Sequence, residues 1–168
     1  GPRINREDEV DHMKFTKLGA ALSAALLLFT SACSTTPQEK LWVEGEAPIV
    51  SKRVLWEVTR IAFEREGFPQ IAPGFDPVKR TVKSGWRTEL APFSGQGFRE
   101  RAWVKYSTTD SGNLSLEVRI QREVNKTLAR PLDPQYADWE EAGDSKDRAR
   151  FLLQIIKGSL VSGGLPTN

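Results

Sequence analysis

Cysteine and histidine, the side chains that supply thiol and imidazole chemistry, occur once each in this sequence and lie near one end of it. The 168 residues include one cysteine (Cys33), one histidine (His12) and one methionine (Met13). Thiol- or imidazole-based catalysis, zinc sites of these ligands and internal disulfides are therefore not expected after residue 33. No G-x-S-x-G, Walker A or H-E-x-x-H pattern occurs. We expect a protein that is not an enzyme and holds no cofactor or metal.

A second group of residues is typical of binding. Between Phe98 and Tyr106 the sequence alternates, and its polar positions are Arg99, Arg101, Trp103 and Lys105. The cations alone would suit a solvated sheet face with cross-strand ion pairs. A tryptophan among them is instead characteristic of interfaces. We interpret this face as a candidate interface for a protein, an anionic glycolipid or a cell-wall glycan.

The overall charge argues against a nucleic-acid partner. Lys and Arg number 24 against 22 Asp and Glu, which gives a net charge of +2. Nucleic-acid-binding domains usually carry a concentrated basic patch.

The acidic loop with Asp133, Asp138, Glu140, Glu141 and Asp144 matches no EF-hand spacing, and we interpret it as solvated rather than as a calcium site.

The first 38 residues contain an export signal. Residues 1–12 are acidic and precede the only methionine, and we interpret them as a cloning remnant or a misassigned start. Residues 13–32 begin with a basic stretch, continue with an apolar run over residues 18–29 and end in Thr30-Ser31-Ala32. This order predicts a signal peptide, because the apolar run is shorter than the roughly 20 residues that span a bilayer.

Thr30-Ser31-Ala32-Cys33 resembles the bacterial lipoprotein box. The resemblance implies that Cys33 becomes the first mature residue and carries acyl chains, while Ser34 at the second position is similar to the outer-membrane-directed class. Thr30 departs from the pattern, in which leucine is commonest. An ordinary signal-peptidase site, which would leave a soluble periplasmic protein, is the alternative. Residues 33–46 then form a lipidated tether, residues 47–162 one domain and residues 163–168 a tail.

Two amphipathic helices are predicted in the domain. Ser51 can cap a helix that ends near Glu66, because Gly67 and Pro69 follow. A second helix runs from about Ser145 to Leu160 with an unusually wide apolar arc. Four apolar side chains on these helices lie outside the main stripes, and they are either covered by another element or form further candidate interface residues: Trp56, Phe63, Phe151 and Ile155.

Between the helices, alternation predicts three strands, over residues 80–90, 98–106 and 114–124. Residues 109–113 form a Gly-containing turn, so the last two strands should be a hairpin. The predicted fold class is α+β, with a three- to four-stranded antiparallel meander covered by one helix and followed by a second, C-terminal helix.

This order of elements after a lipidated cysteine resembles the helix-grip domain of BamC-like outer-membrane lipoproteins. The similar part is roughly residues 50–126, from Val54-Leu55-Trp56 through Gly67-Phe68 to the Trp86 strand. The resemblance implies an accessory or scaffold subunit of an envelope protein complex, lipid-anchored in the outer membrane and facing the periplasm. LptE-type lipoproteins share a similar order, which implies the alternative of a module that binds lipopolysaccharide or cell-wall glycan.

Overall fold

A computed structural model describes residues 38–93 and 95–162. The fold within them is α+β, with two helices and seven strands in one antiparallel sheet. The elements in chain order are β1 (Val43–Ala47), α1 (Lys52–Arg65), β2 (Phe75–Asp76), β3 (Thr81–Lys83), β4 (Arg87–Glu89), β5 (Phe98–Thr108), β6 (Leu114–Asn125), β7 (Trp139–Ala142) and α2 (Lys146–Val161). The predicted signal peptide, Cys33, Ser34 and the tail lie outside the described residues.

The sheet is organised around its two long strands. β5 and β6 form the predicted hairpin, and the strand order is β1-β6-β5-β3-β2. β4 also pairs with β5, and β7 also pairs with β6. The predicted turn is present, since Thr109 N donates to Asn113 O over 2.8 Å and Gly112 adopts a positive φ.

Both predicted helices are confirmed, and their ends follow from local chemistry. The Ser51 side chain accepts a hydrogen bond from Val54 N at 3.3 Å and begins α1. Gly67 adopts a φ of +74° directly after the helix, and Phe68 N donates to Phe63 O over 2.8 Å, which closes the last turn. Ser145 begins α2, although its side chain makes no capping hydrogen bond.

The two helices pack on one face of the sheet. α2 lies over β1 and β6 and contacts α1, while Trp56 of α1 packs on Phe75 and Phe75 on Tyr106 at the other side. The core between them is mainly aliphatic, with three aromatic side chains, Phe63, Phe68 and Tyr106. Its aliphatic members include Val82, Val104, Leu116, Val118 and Ile120 from the sheet and Leu55, Val58, Leu152 and Ile156 from the helices. The opposite face of the sheet faces away from both helices.

The predicted meander of three to four strands was too small. The first four of the five residues of β1 lie in the predicted tether, and β7 lies inside the segment interpreted as an acidic loop. VEGEA alternates, but it is short and has only Val43 and Ala47 as apolar side chains, and WEEA does not alternate. The strand predicted over residues 80–90 is also divided, into β3 and β4.

The division between β3 and β4 is a β-bulge. Lys83 pairs with Trp103 and Arg87 pairs with Glu100, so three residues (84–86) lie opposite two (101–102). One extra residue shifts the alternation and exchanges the two faces of the strand. Val82 therefore points into the core, whereas Trp86, which uninterrupted alternation would place on the same face as Val82, contacts the side chains of the opposite face.

Candidate binding face of the sheet

Four of the five tryptophans lie on the sheet face that points away from the helices. They are interleaved with lysine and arginine side chains from neighbouring strands. We call this surface the tryptophan face and define it by Trp42, Trp86, Trp103, Trp139, Lys83, Arg99, Arg101 and Lys105. All eight side chains are partly exposed.

Cations and indole rings alternate across the centre of this face. The Arg99 guanidinium lies 4.7 Å from the ring centre of Trp139 and 4.4 Å from that of Trp86. The Arg101 guanidinium lies 4.4 Å from Trp86 and 4.9 Å from Trp103. Each such contact contributes about 0.5–1 kcal/mol at an exposed site. These contacts therefore fix the orientation of the guanidinium groups and the indole rings in the absence of a partner.

Two lysines extend the row on either side. Lys83 Nζ lies 5.3 Å from the centre of the Trp103 ring, and Lys105 Nζ lies 3.9 Å from that of Trp42. Trp42 precedes β1 and is held near the face by its neighbour, because Leu41 N donates to Asp144 Oδ2 over 2.9 Å. Asp144 is itself fixed by an ion pair with Arg119 at 2.5 Å. Most of this pair is buried.

A buried amide organises the middle of the face. Gln121 Oε1 accepts hydrogen bonds from Arg101 Nε at 2.9 Å and from Trp103 Nε1 at 3.2 Å. Burial lowers the pKa of Arg101 from its ordinary value; the charge of Glu123 opposes this shift, and that of Arg99 adds to it. An arginine remains protonated under these conditions because its ordinary pKa is so high. The central guanidinium is thus positioned by a neutral group.

The charges of the face are only partly compensated. Arg99 pairs with Glu123, and Lys105 lies 3.6 Å from Glu117. Among the described residues, Lys83 and Arg101 have no carboxylate within 4.0 Å. The centre of the tryptophan face therefore combines partly exposed aromatic rings with two cations that no described carboxylate pairs directly, a combination typical of binding surfaces.

The structure brings one set of candidate residues together and separates the other. Arg99, Arg101, Trp103 and Lys105 lie on one face of β5, as the alternation predicts. The helix residues belong to the other side of the sheet. That second set is Trp56, Phe63, Phe151 and Ile155.

The second set does not form one surface. Phe63 is buried, with 3% of its surface exposed, and it packs edge-on against Phe68. It is therefore a core residue and is removed from the candidate interface. Trp56 is partly covered by Phe75, and Ile155 packs against the core. Phe151 is 58% exposed and remains available to a partner.

Sequence reasoning missed Trp42, Trp86 and Trp139. Trp86 is displaced to this face by the bulge, and the available signal was Gly85 within an otherwise alternating strand, since an isolated glycine often marks a bulge. Trp139 pairs through β7 with the end of β6, in a segment whose acidic residues obscured its strand character. No comparable pattern in the sequence indicated Trp42.

Comparisons with known proteins give no family for this chain, since no protein-family model matches it and no curated protein matches it. Within residues 38–93 and 95–162, neither helix combines the length and apolarity required to cross a bilayer. The same residues contain no group of three or more His, Cys, Asp or Glu side chains arranged to hold a metal.

Proposed function

We propose that this protein is a non-catalytic, lipid-anchored lipoprotein of the bacterial outer membrane that acts as an accessory or scaffold subunit of an envelope protein complex. The observation that supports this function best is the tryptophan face. It presents four indole rings and two cations without a paired carboxylate on the sheet face that neither helix covers. Tryptophan and arginine are the residues most enriched among those that dominate protein interfaces.

The cation-indole contacts favour a protein partner over a glycan. A sugar ring binds best to the free face of an indole, whereas Trp86 already has two guanidinium groups at 4.4 Å. A protein partner with carboxylate and aromatic groups can pair with the guanidiniums and pack against the ring edges at the same time. The bound partner would also complete the charge balance of Lys83 and Arg101.

The membrane part of the proposal depends on Cys33. One acyl chain alone gives marginal membrane binding at about 0.8 kcal/mol per buried CH₂, so stable anchoring requires two or three chains. Intact-mass measurement should show the mass of these chains on a protein that begins at Cys33. Cys33→Ala should move the protein out of the membrane fraction, and its retention there would refute the anchor.

The scaffold role is tested by the double substitution Arg101→Ala with Trp103→Ala. In cells treated with a crosslinker, the wild-type protein should recover β-barrel or other envelope-machine subunits after detergent extraction. The double variant should fold and lose most of this recovery, because the central cation and its ring are removed together. Val78→Ala with Lys79→Ala is a matched control that removes one exposed apolar and one exposed cationic side chain in a turn elsewhere.

A second candidate function is the binding of an anionic glycolipid, which the uncompensated charges of Lys83 and Arg101 favour. Because four of the five tryptophans share this face, a phosphorylated lipid A preparation should change the intrinsic fluorescence strongly if it binds there. A saturable change that Arg101→Ala abolishes would establish this function in place of the scaffold role. Recovery of protein subunits without such a change would exclude it.

A further inference from the structure

The two ends of the sheet carry different kinds of loop. At one end the β4–β5 loop approaches the segment after β6, since Asn125 N donates to Gly97 O over 2.7 Å and Lys126 N donates to Asp138 O over 2.8 Å. We call this the loop end and define it by residues 90–93, 95–97 and 126–138. At the other end lie the turns of residues 77–80 and 109–113, which we call the hairpin end.

The loop end exposes large apolar side chains. Phe93 is fully exposed, Leu128 is 84% exposed and Leu132 is 64% exposed. Tyr136 is also exposed and lies under Arg130, with the guanidinium 4.4 Å from the ring centre. Several large apolar side chains exposed at one end of a sheet favour a contact site there.

Leu128 and Leu132 belong to an organised loop. Asn125 Nδ2 donates to Pro131 O over 3.1 Å, and Thr127 Oγ1 donates to Tyr136 O over 2.6 Å. A short 3-10 helix at Pro134–Tyr136 is capped by the Asp133 side chain. These hydrogen bonds fix the backbone of the loop, and Leu128 and Leu132 are exposed to solvent from it.

The hairpin end differs in composition. Residues 109–113 are Thr-Asp-Ser-Gly-Asn, without an apolar side chain. Val78 is exposed in the neighbouring turn, but it stands beside Lys79 and Arg80. Ile49 is 58% exposed just after β1 and lies near this end too, because Ala47 pairs with Leu114. The loop end exposes the two leucines and also an aromatic ring, Phe93.

The number of residues between Cys33 and Gln38 limits how far Cys33 can lie from the loop end. The described chain begins at Gln38 beside Gly143, near the level of Gln121 in β6, because Ala142 pairs with Arg122. Cys33 is five residues before Gln38 and can lie at most roughly 17 Å away, at 3.3–3.6 Å per residue. From Gln121 the end of β6 is about 14 Å away, whereas the hairpin turn at residue 113 is about 27 Å away, at 3.4 Å per residue.

We propose that the loop end rests on the bilayer that holds the acylated Cys33, with Phe93, Leu128 and Leu132 inserted at the lipid interface. This inference rests on the proposed anchor, because only a lipid attachment at Cys33 makes the length of the tether decisive. An anchor within reach of the loop end and out of reach of the hairpin end orients the sheet. The polar hairpin turn then points away from the membrane, and the plane of the tryptophan face stands roughly perpendicular to the membrane surface.

The contact is hydrophobic rather than electrostatic. Lys126 and Arg130 are accompanied by Asp133 and Asp138, and the neighbouring β7 adds the exposed acids Glu140 and Glu141. The region therefore has no excess of positive charge to attract anionic headgroups. With two cations against four acids, binding should be no stronger on anionic than on zwitterionic lipid.

The experiment uses the acylated protein reconstituted in phosphatidylcholine vesicles. Because acylation would block the only natural thiol, a single cysteine introduced by Leu132→Cys can carry an environment-sensitive fluorophore. Ser111→Cys provides the matched position, since both sites are exposed and the label perturbs no core contact. Lipids with a nitroxide on the acyl chain report which label reaches the bilayer.

We expect strong quenching of the label at residue 132, and at residue 111 only the weak quenching of a label in water. Equal quenching at the two positions, or no quenching at residue 132, would overturn the proposed orientation even when intact mass shows acylated Cys33. Absence of the acyl mass is a separate result, which overturns the anchor and with it this orientation. A protein crosslinked to residue 132, with no lipid quenching, would assign the loop end to a protein partner and overturn the membrane contact.

Discussion

Two clusters of cations lie on opposite faces of the same sheet and have different partners. On the helix side, Arg87, Arg122 and Arg148 surround Glu100, which is 1% exposed. On the tryptophan face, the corresponding partners of Arg101 are two indole rings and the neutral Gln121. We call the first cluster the arginine cage and define it by its three arginines and Glu100.

The partners decide what each cluster can do. In the arginine cage one carboxylate draws three elements together: Arg87 of β4 lies 3.1 Å from it, Arg122 of β6 lies 3.6 Å from it, and Arg148 belongs to α2. Charge is used there to join parts of the fold. On the tryptophan face the rings position a guanidinium without neutralising it, so its charge remains for a partner.

The largest expected effect is on the stability of the arginine cage. Glu100→Gln leaves three arginines around a neutral amide, and we expect the free energy of unfolding to fall by about 3 kcal/mol. The value is at the lower end for a broken buried ion pair, because the arginine side chains are 28–37% exposed. Urea denaturation measures the change. Glu117→Gln, in the exposed pair with Lys105, should cost less than about 1 kcal/mol, and equal losses would contradict the distinction.

A smaller effect is expected from Trp86→Ala on the tryptophan face. The substitution removes the ring that both Arg99 and Arg101 contact, and the free energy of unfolding should fall by about 1–2 kcal/mol. Trp86→Ala should act mainly on the recovery of the partner protein, whereas Glu100→Gln should act mainly on the free energy of unfolding. Trp86→Phe keeps a ring and should restore part of the recovery. Full recovery with Trp86→Ala would remove this residue from the interface.

The smallest effect is expected at Tyr106 in the core. Its hydroxyl is buried, and no described group accepts or donates a hydrogen bond to it. Tyr106→Phe should therefore change the free energy of unfolding by less than about 1 kcal/mol, in the stabilising direction.

The pH dependence of the same variant has a definite sign. Burial raises the pKa of Tyr106 above its ordinary value of 10.0, so the folded protein favours the neutral phenol. The associated stability is present below this ordinary value and is lost as the pH rises through the raised pKa. Urea midpoints measured across this range should fall more steeply for the wild type than for Tyr106→Phe, and parallel curves would contradict the assignment.

The helices and the central hairpin were predictable because their signals are local. Ser51 and Gly67 mark the ends of α1, and residues 109–113 mark the turn between β5 and β6. Alternation along β5 also placed Arg101 and Trp103 on one face. These features depend on residues close together in the sequence.

The remaining parts depend on contacts between distant segments. The bulge that carries Trp86 to the tryptophan face is defined by the pairing of β3 and β4 with β5, and the role of Trp139 depends on β7 joining β6. The position of Trp42 follows from a hydrogen bond between Leu41 and Asp144, more than a hundred residues apart. Sequence patterns within one window do not contain this information.

The most direct test of the central claim is site-specific photocrosslinking in intact cells. A photoreactive residue in place of Lys83 reports on the tryptophan face, and one in place of the exposed Gln154 of α2 reports on the helix side. We expect the adduct to an envelope protein to form from residue 83 and not from residue 154. An adduct from residue 154 alone would place the interface on the helices and contradict the role proposed for the tryptophan face.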